Sequence, residues 1–119
     1  MTVIIFLEGM LPSEIGELRS LEYLEVRENS FDGQIPTELG LLQSLKYLDI
    51  SDHKYFTEPT IPSELGNLSS LKKLYMSHNG LRGTVPSELF GLVSLEELNL
   101  SRNSLRAVSY THLTLPTKA

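Results

Sequence analysis

Acidic residues and a histidine that lie close together in the chain are the side chains best able to do chemistry. Asp49, Asp52 and His53 fall within five positions and suggest an acid–base pair. Asp49 and His53 should leave their strand at different points, however, and neither a nucleophile nor an oxyanion hole accompanies them. His53 and His78 fit no metal spacing such as H-E-x-x-H, and there is no glycine-rich phosphate loop. The sequence therefore predicts a protein that is not an enzyme and uses neither a metal nor a cofactor.

The composition excludes several further classes of function. The 119 residues include 10 Lys and Arg against 15 Asp and Glu, a formal net charge of -5. Nucleic-acid binding requires clustered basic residues, so we expect no nucleic-acid partner. The chain has no cysteine and hence no disulfide. No apolar run approaches the roughly 20 residues of a membrane-spanning helix, so we expect no membrane contact by this chain.

A repeat of 24 to 26 residues dominates the sequence and must position any binding residues. Each unit reads L-x-x-L-x-L-x-x-N, and its proline precedes the next leading leucine by nine residues. The predicted organisation is an irregular start (1–8), a partial unit (9–20), three full units (21–44, 45–70 and 71–94), a second partial unit (95–106) and a tail (107–119).

Within each unit, the two closely spaced apolar residues have a period of two, which is typical of a short strand. The pairs that point to one face are Leu24 and Val26, Leu48 and Ile50, Leu74 and Met76, and Leu98 and Leu100. A single unit cannot bury these side chains, but stacked units can. The spacing therefore predicts a solenoid with one parallel sheet.

An asparagine follows each strand at a fixed offset. Asn29, Asn79 and Asn103 occupy this position, and His53 replaces the asparagine in unit 45–70. A buried amide can satisfy backbone groups of adjacent turns, so we predict a structural ladder. The alternative role for these side chains is contact with a ligand.

The second half of each unit carries turn signals. Gly33 and Gly83 suit a turn that needs positive φ. The Ser or Thr after each proline suits a helix N-cap, and the following Glu suits a first turn. We therefore predict short helical or 3-10 turns that end at Gly40, Gly66 and Gly91.

The pattern LxxLxLxxNxLxGxIPxxLGxLxx resembles the plant-type leucine-rich repeat over residues 9–106. The resemblance implies an α/β fold, a right-handed solenoid with a parallel β-sheet on the concave face and short helical or 3-10 turns on the convex side. It also implies a second small strand near each x-G-x-I-P segment. Such receptor-like and inhibitor proteins bind proteins or peptides and usually act outside the cell. The alternatives are a structural spacer and the regulatory ectodomain of a receptor-like kinase, whose parent protein can be membrane-anchored.

The side of the strands opposite the leucines is the predicted partner-binding surface. Tyrosines on neighbouring strands should lie about 4.8 Å apart, edged by carboxylates. Such a surface suits a protein or peptide with apolar and basic groups. The alternative is a solvated sheet in which tyrosine serves strand propensity. The predicted binding residues are Tyr23, Glu25, Arg27, Tyr47, Asp49, Lys73 and Tyr75.

Three further features depart from the repeat or add to it. Unit 45–70 carries two extra residues within 53–60, which we interpret as a bulge or as part of a binding edge. Asn67 begins an N-x-S sequon and is a possible glycosylation site. The string VSYTHLTLPT in the tail resembles a translated sequencing adaptor, so we expect the tail to be non-native. We also expect the chain to be a fragment, and its uncapped ends should favour self-association. The alternative for the tail is a natural capping segment.

Overall fold

Short strands from successive units form the inner sheet of the molecule. The computed structural model describes residues 2–4, 8–10, 12–26, 30–53, 55–58 and 60–106. Within these ranges, five strands pair in parallel in the order β1-β3-β5-β7-β8. They are β1 (Thr2–Ile4), β3 (Tyr23–Glu25), β5 (Tyr47–Asp49), β7 (Lys73–Tyr75) and β8 (Glu97–Asn99). The predicted α/β fold, a right-handed solenoid with a parallel sheet on its concave face, is confirmed.

The first inner strand lies in the segment that the repeat pattern left irregular. Thr2–Ile4 pairs with Tyr23–Glu25, so that Val3 lies opposite Leu24. The segment 1–8, predicted as an irregular start, thus contains a strand at these three residues. Thr2-Val3-Ile4 shows no alternation of polar and apolar residues, so the strand is identified only by its pairing with the neighbouring strand.

A second, smaller sheet lies in the turn half of the units. It contains β2 (Glu8–Met10), β4 (Ser30–Gln34) and β6 (Tyr55–Glu58), paired in parallel within the described part of the chain. The register between β4 and β6 shifts between Gly33 and Gln34. The longer unit thus takes up at least part of its insertion as an irregularity in this sheet, which is how a bulge accommodates extra chain.

The outer side of the solenoid is formed by 3-10 turns, one in each described unit up to residue 94. These turns are η1 (Ser13–Glu17), η2 (Thr37–Leu41), η3 (Ser63–Asn67) and η4 (Ser87–Gly91). The predicted Ser or Thr N-cap is wrong, because the proline before it is the capping residue and no side chain makes a capping hydrogen bond. Proline fixes φ in the range that begins such a turn, so the hydroxyl residue lies inside the turn.

Leucines fill the space between the inner sheet and the turns. Leu24, Leu48 and Leu74 are in register on adjacent strands and have no exposed surface. The turn residues Leu39 and Leu65 close the core from the outer side. Each such leucine contributes about 2–5 kcal/mol relative to alanine. Leu98 on β8 is only half-buried, because no further strand of the described chain packs beyond it.

No helix in the described ranges is long and apolar enough to cross a bilayer.

Candidate functional site

Three tyrosines form a contiguous cluster on the concave face. The strand register places Tyr23 directly opposite Tyr47, and Tyr75 opposite Asp49. The rings of Tyr23 and Tyr47 are stacked, with centroids 4.1 Å apart and planes 4° apart. The ring of Tyr75 meets Tyr47 edge-on at 5.4 Å and 69°. The edge-on contact is a favourable aromatic geometry, and the stacked pair is in close contact, so the three rings form one packed surface.

Carboxylates at the border of the cluster accept hydrogen bonds from the tyrosine hydroxyls. Tyr23 Oη donates to Glu25 Oε1 over 3.2 Å, and Tyr75 Oη donates to Glu97. Lys73 Nζ lies 4.0 Å from the other oxygen of Glu97, at the exposed edge. The hydroxyls are therefore oriented before any partner arrives, which lowers the entropic cost of binding.

The same surroundings raise the pKa values of two tyrosines. The hydrogen bond to Glu97, followed by burial, raises the pKa of Tyr75 from 10.0 to about 12. Burial, followed by the hydrogen bond with Tyr23 and the charge of Asp49, also raises the pKa of Tyr47. Both phenols are neutral at physiological pH and keep their electron-rich ring faces.

We expect the raised pKa of Tyr75 to make the fold sensitive to alkali. Below pH 10 the folded and unfolded states are both protonated, whereas between about pH 10 and 12 only the unfolded state loses the proton. Stability should therefore fall as pH rises through this window. Absorbance at 295 nm, compared between the wild-type chain and Tyr75→Phe, isolates this titration. In Glu97→Gln the pKa of Tyr75 should move towards 10, and an unchanged midpoint would contradict the assigned cause.

Asp49 is not exposed as the sequence predicted. Its side chain is only 4% exposed, and its Oδ1 accepts a hydrogen bond of 3.0 Å from the backbone N–H of Ser51. It lines an open depression of about 230 Å³ at the carboxyl ends of β5 and β7. The strand pattern predicts which face a residue points to, but it does not predict how far neighbouring side chains cover that residue. The lining residues are Tyr47, Asp49, Ser51, Asp52, Tyr75, Ser77 and Asn99.

The described part of the asparagine ladder ties consecutive units together beneath the site. Asn79 Oδ1 accepts from the backbone N–H of His53 at 2.8 Å, and its Nδ2 donates to the carbonyl of Ile50 at 2.5 Å. Asn103 repeats the pattern one unit later, accepting from the N–H of Asn79 at 2.9 Å. His53 itself is fully buried at the equivalent position. These bonds fix the carboxyl ends of the strands that carry the depression.

Residues in the left-handed conformation separate the strands from the ladder. Asp52, His78 and Arg102 have φ of 66°, 56° and 57°. Asp52 and His78 are also in contact, with Oδ1 and Nδ1 3.2 Å apart. The sequence gives no glycine at these positions, so the conformation was not predictable from residue type, although Asp and His tolerate it better than most side chains.

Two predicted site residues, Arg27 and Asn29, lie outside the described residues, as does the tail 107–119. Asn67 is exposed at the end of η3, where its carbonyl accepts from Ser69 N–H at 2.9 Å. Sequence reasoning missed Ser51, Ser77 and Asn99 as parts of one depression. Ser51 and Ser77 follow Asp49 and Tyr75 by two residues, and Asn99 pairs with Tyr75 on the next strand, so their repeat positions are the signal that could have identified them. No group of three or more metal-binding side chains occurs in the described ranges.

The comparisons with known proteins identify the class to which this fold belongs. A sequence profile described as a leucine-rich repeat region matches residues 7–114. The chain therefore belongs to the leucine-rich repeat family. Its repeats are of the plant type, as found in receptor-kinase ectodomains. The comparison with curated proteins finds no match.

Several solved plant structures are similar to the chain. The ectodomain of the Arabidopsis thaliana receptor kinase GASSHO1/SCHENGEN3, in complex with CASPARIAN STRIP INTEGRITY FACTOR 2, is 35% identical with a TM-score of 0.79, covering 85% of this chain and 12% of that one. A plant ice-binding protein is 33% identical, with a TM-score of 0.75 and coverage of 83% and 32%. The Arabidopsis receptor kinase HAESA, in complex with the peptide hormone IDA and the co-receptor SERK1, is 30% identical, with a TM-score of 0.64 and coverage of 88% and 22%. The chain spans less than a third of each of these proteins.

Proposed function

We propose that the chain is a non-catalytic binding module that recognises a protein or peptide through the concave face of the solenoid. The packed cluster of Tyr23, Tyr47 and Tyr75 carries this proposal. Tyrosine supplies a large contact area at low entropic cost and is enriched among the residues that dominate binding energy. The module would form part of a larger receptor-like or inhibitor protein.

The charge around the cluster indicates the chemistry of the partner. Glu25 and Glu97 accept hydrogen bonds from tyrosine hydroxyls of the cluster. Asp49 lines a depression together with Tyr47 and Tyr75. With a net charge of -5, the chain attracts basic surfaces and repels acidic ones. A partner that offers apolar groups to the rings and basic groups to their border fits this surface best.

Two of the similar structures support a protein or peptide as the partner. The GASSHO1/SCHENGEN3 and HAESA ectodomains were solved in complex with CASPARIAN STRIP INTEGRITY FACTOR 2 and with the peptide hormone IDA. The similar ice-binding protein shows that the repeat fold alone does not determine the ligand. The tyrosine cluster, a feature of this chain's own side chains, is therefore the stronger argument.

Replacing Tyr47 should abolish most of this binding, because its ring contacts both other tyrosines. A displayed peptide library selected on the full chain should yield binders that lose about 2 kcal/mol, or about thirtyfold in affinity, on Tyr47→Ala. Affinities are measured by calorimetry, and the fold of each variant by circular dichroism.

A control on the opposite side separates a specific site from a general effect. Val93 lies beyond η4 and is 76% exposed. Val93→Ser should leave the affinity of every selected peptide unchanged. Peptides that bind a folded Tyr47→Ala variant as well as the wild-type chain would count against the concave face as the binding surface.

A further inference from the structure

The depression beside the tyrosine cluster has a composition that indicates what enters it. Its volume of about 230 Å³ compares with about 30 Å³ for one water in the liquid, so it can admit a side chain. Its lining offers carboxylates, hydroxyls, an amide and two tyrosine rings, and no lysine or arginine of the described chain is among them. The depression is therefore negatively charged and open to solvent on one side.

Asp49 is the residue that requires an explanation. The residue is 4% exposed, and within the described ranges its one hydrogen bond is the bond from Ser51 N–H to Oδ1. None of the ion pairs between described residues includes Asp49. A buried carboxylate is stabilised when a cation compensates its charge, and Asp49 is among the residues that line the depression.

The two rings at the depression complete a site for a positive group. Tyr47 and Tyr75 both have raised pKa values, so neither ring becomes an anionic phenolate at neutral pH. A neutral tyrosine ring attracts a cation through its face, and guanidinium groups stack on such rings more readily than ammonium groups. Ser51 Oγ and Ser77 Oγ lie 3.2 Å apart on the floor of the same depression and offer further acceptors.

The geometry points to a specific subsite: the depression binds the cationic side chain of the partner, an arginine in preference to a lysine, with Asp49 as its counter-charge and Tyr47 and Tyr75 as its walls. This inference rests on the proposed peptide-binding function and specifies the residue that the peptide must present. Asp52 adds negative charge at the rim, where it contacts His78. Charge and shape together select a planar cation over a neutral side chain of the same size.

A pair of small probes tests the subsite without knowledge of the natural ligand. N-acetyl-arginine amide and N-acetyl-citrulline amide have nearly the same shape, but only the first is charged. In an NMR titration of the full chain, the arginine probe should shift the backbone N–H signals of Ser51 and Ser77, with an affinity about tenfold higher than that of the citrulline probe. Equal affinities for the two probes would overturn the inference.

The matched substitution is Asp49→Asn, which removes the charge and keeps an oxygen that can accept from Ser51 N–H. It should weaken arginine binding about tenfold and leave citrulline binding unchanged. If arginine still binds the folded variant with wild-type affinity, Asp49 is not the counter-charge and the proposal fails. Val93→Ser should bind both probes as the wild-type chain does.

Selected peptides separate the failure of this inference from the failure of the proposed function. Tyr47-dependent peptides without a basic residue, or peptides that tolerate the replacement of arginine by citrulline, overturn the subsite and leave the binding function standing. Arginine-probe binding that depends on Asp49, with no Tyr47-dependent peptide selected, supports the subsite and counts against peptide recognition. Tyr47-dependent peptides that lose about tenfold with citrulline support both.

Discussion

Asn79→Ala should destabilise the chain by about 3 kcal/mol, one of the two largest effects that the structure predicts. The amide is 2% exposed and bonds to the N–H of His53 and the carbonyl of Ile50. Alanine leaves both backbone groups buried without that partner, and each costs about 1–3 kcal/mol. The carbonyl of Met76 keeps its bond from Asn103 Nδ2 at 2.8 Å. Urea unfolding followed by circular dichroism measures the loss.

Asn103→Ala is the matched control, because Asn103 occupies the same repeat position but is partly exposed. Its partners include the N–H groups of Asn79 and Leu81. Because Asn103 is itself partly exposed, water can take the place of its truncated side chain beside these N–H groups, so we expect a loss of about 1 kcal/mol. If the two variants lost the same free energy of unfolding, burial of the unsatisfied backbone groups would not be what determines the cost of breaking the ladder.

Regular spacing is what made the solenoid predictable from sequence. The leucines recur at a fixed interval, and the register of Leu24, Leu48 and Leu74 follows because each unit can bury them only against its neighbours. The same logic placed Tyr23 beside Tyr47 and Tyr75 diagonally across from them. Strand pairing determines which side chains are neighbours on a parallel sheet. The tyrosine cluster could therefore be predicted from the sequence, although its ring geometry could not.

Properties that depend on contact between units could not be predicted in this way. The burial of Asp49 depends on how side chains of neighbouring units pack around it, which the period of two does not specify. The left-handed conformation at Asp52 and His78 is imposed by the path from strand to ladder rather than by residue type. The strand at Thr2–Ile4 belongs to the same group, since it is recognised only through its pairing with Tyr23–Glu25.

The outer turns show the same dependence on neighbouring units. Sequence reasoning interpreted Gly40, Gly66 and Gly91 as the ends of equivalent turns. Counting from the preceding proline, however, Phe90 occupies the position of Gly40 and Gly66. A Cβ on Gly40 would lie 2.5 Å from the backbone oxygen of Glu64 in the next turn, whereas a Cβ on Gly91 would meet no atom within 4 Å. Glycine is therefore required where one turn stacks directly on the next.

Gly40→Ala should accordingly destabilise the chain by about 1–3 kcal/mol, because backbone atoms of η3 must move away to admit a methyl group. For a domain of this size, 1 kcal/mol corresponds to about 4–8 °C, so the melting temperature should fall by at least about 4 °C. The measurement is thermal unfolding by circular dichroism, with urea unfolding to obtain the free energy.

Gly91→Ala separates this steric cost from the effect of glycine on the unfolded chain. Both substitutions reduce the conformational freedom of the unfolded state, which by itself stabilises a protein by about 0.4–1 kcal/mol. Gly91→Ala has open space around it and should be neutral or slightly stabilising. If both variants lost stability equally, local backbone preference would explain the loss. A loss confined to Gly40 would show that close packing of successive turns, together with the buried leucines, sets the spacing of the strands that carry the tyrosine cluster.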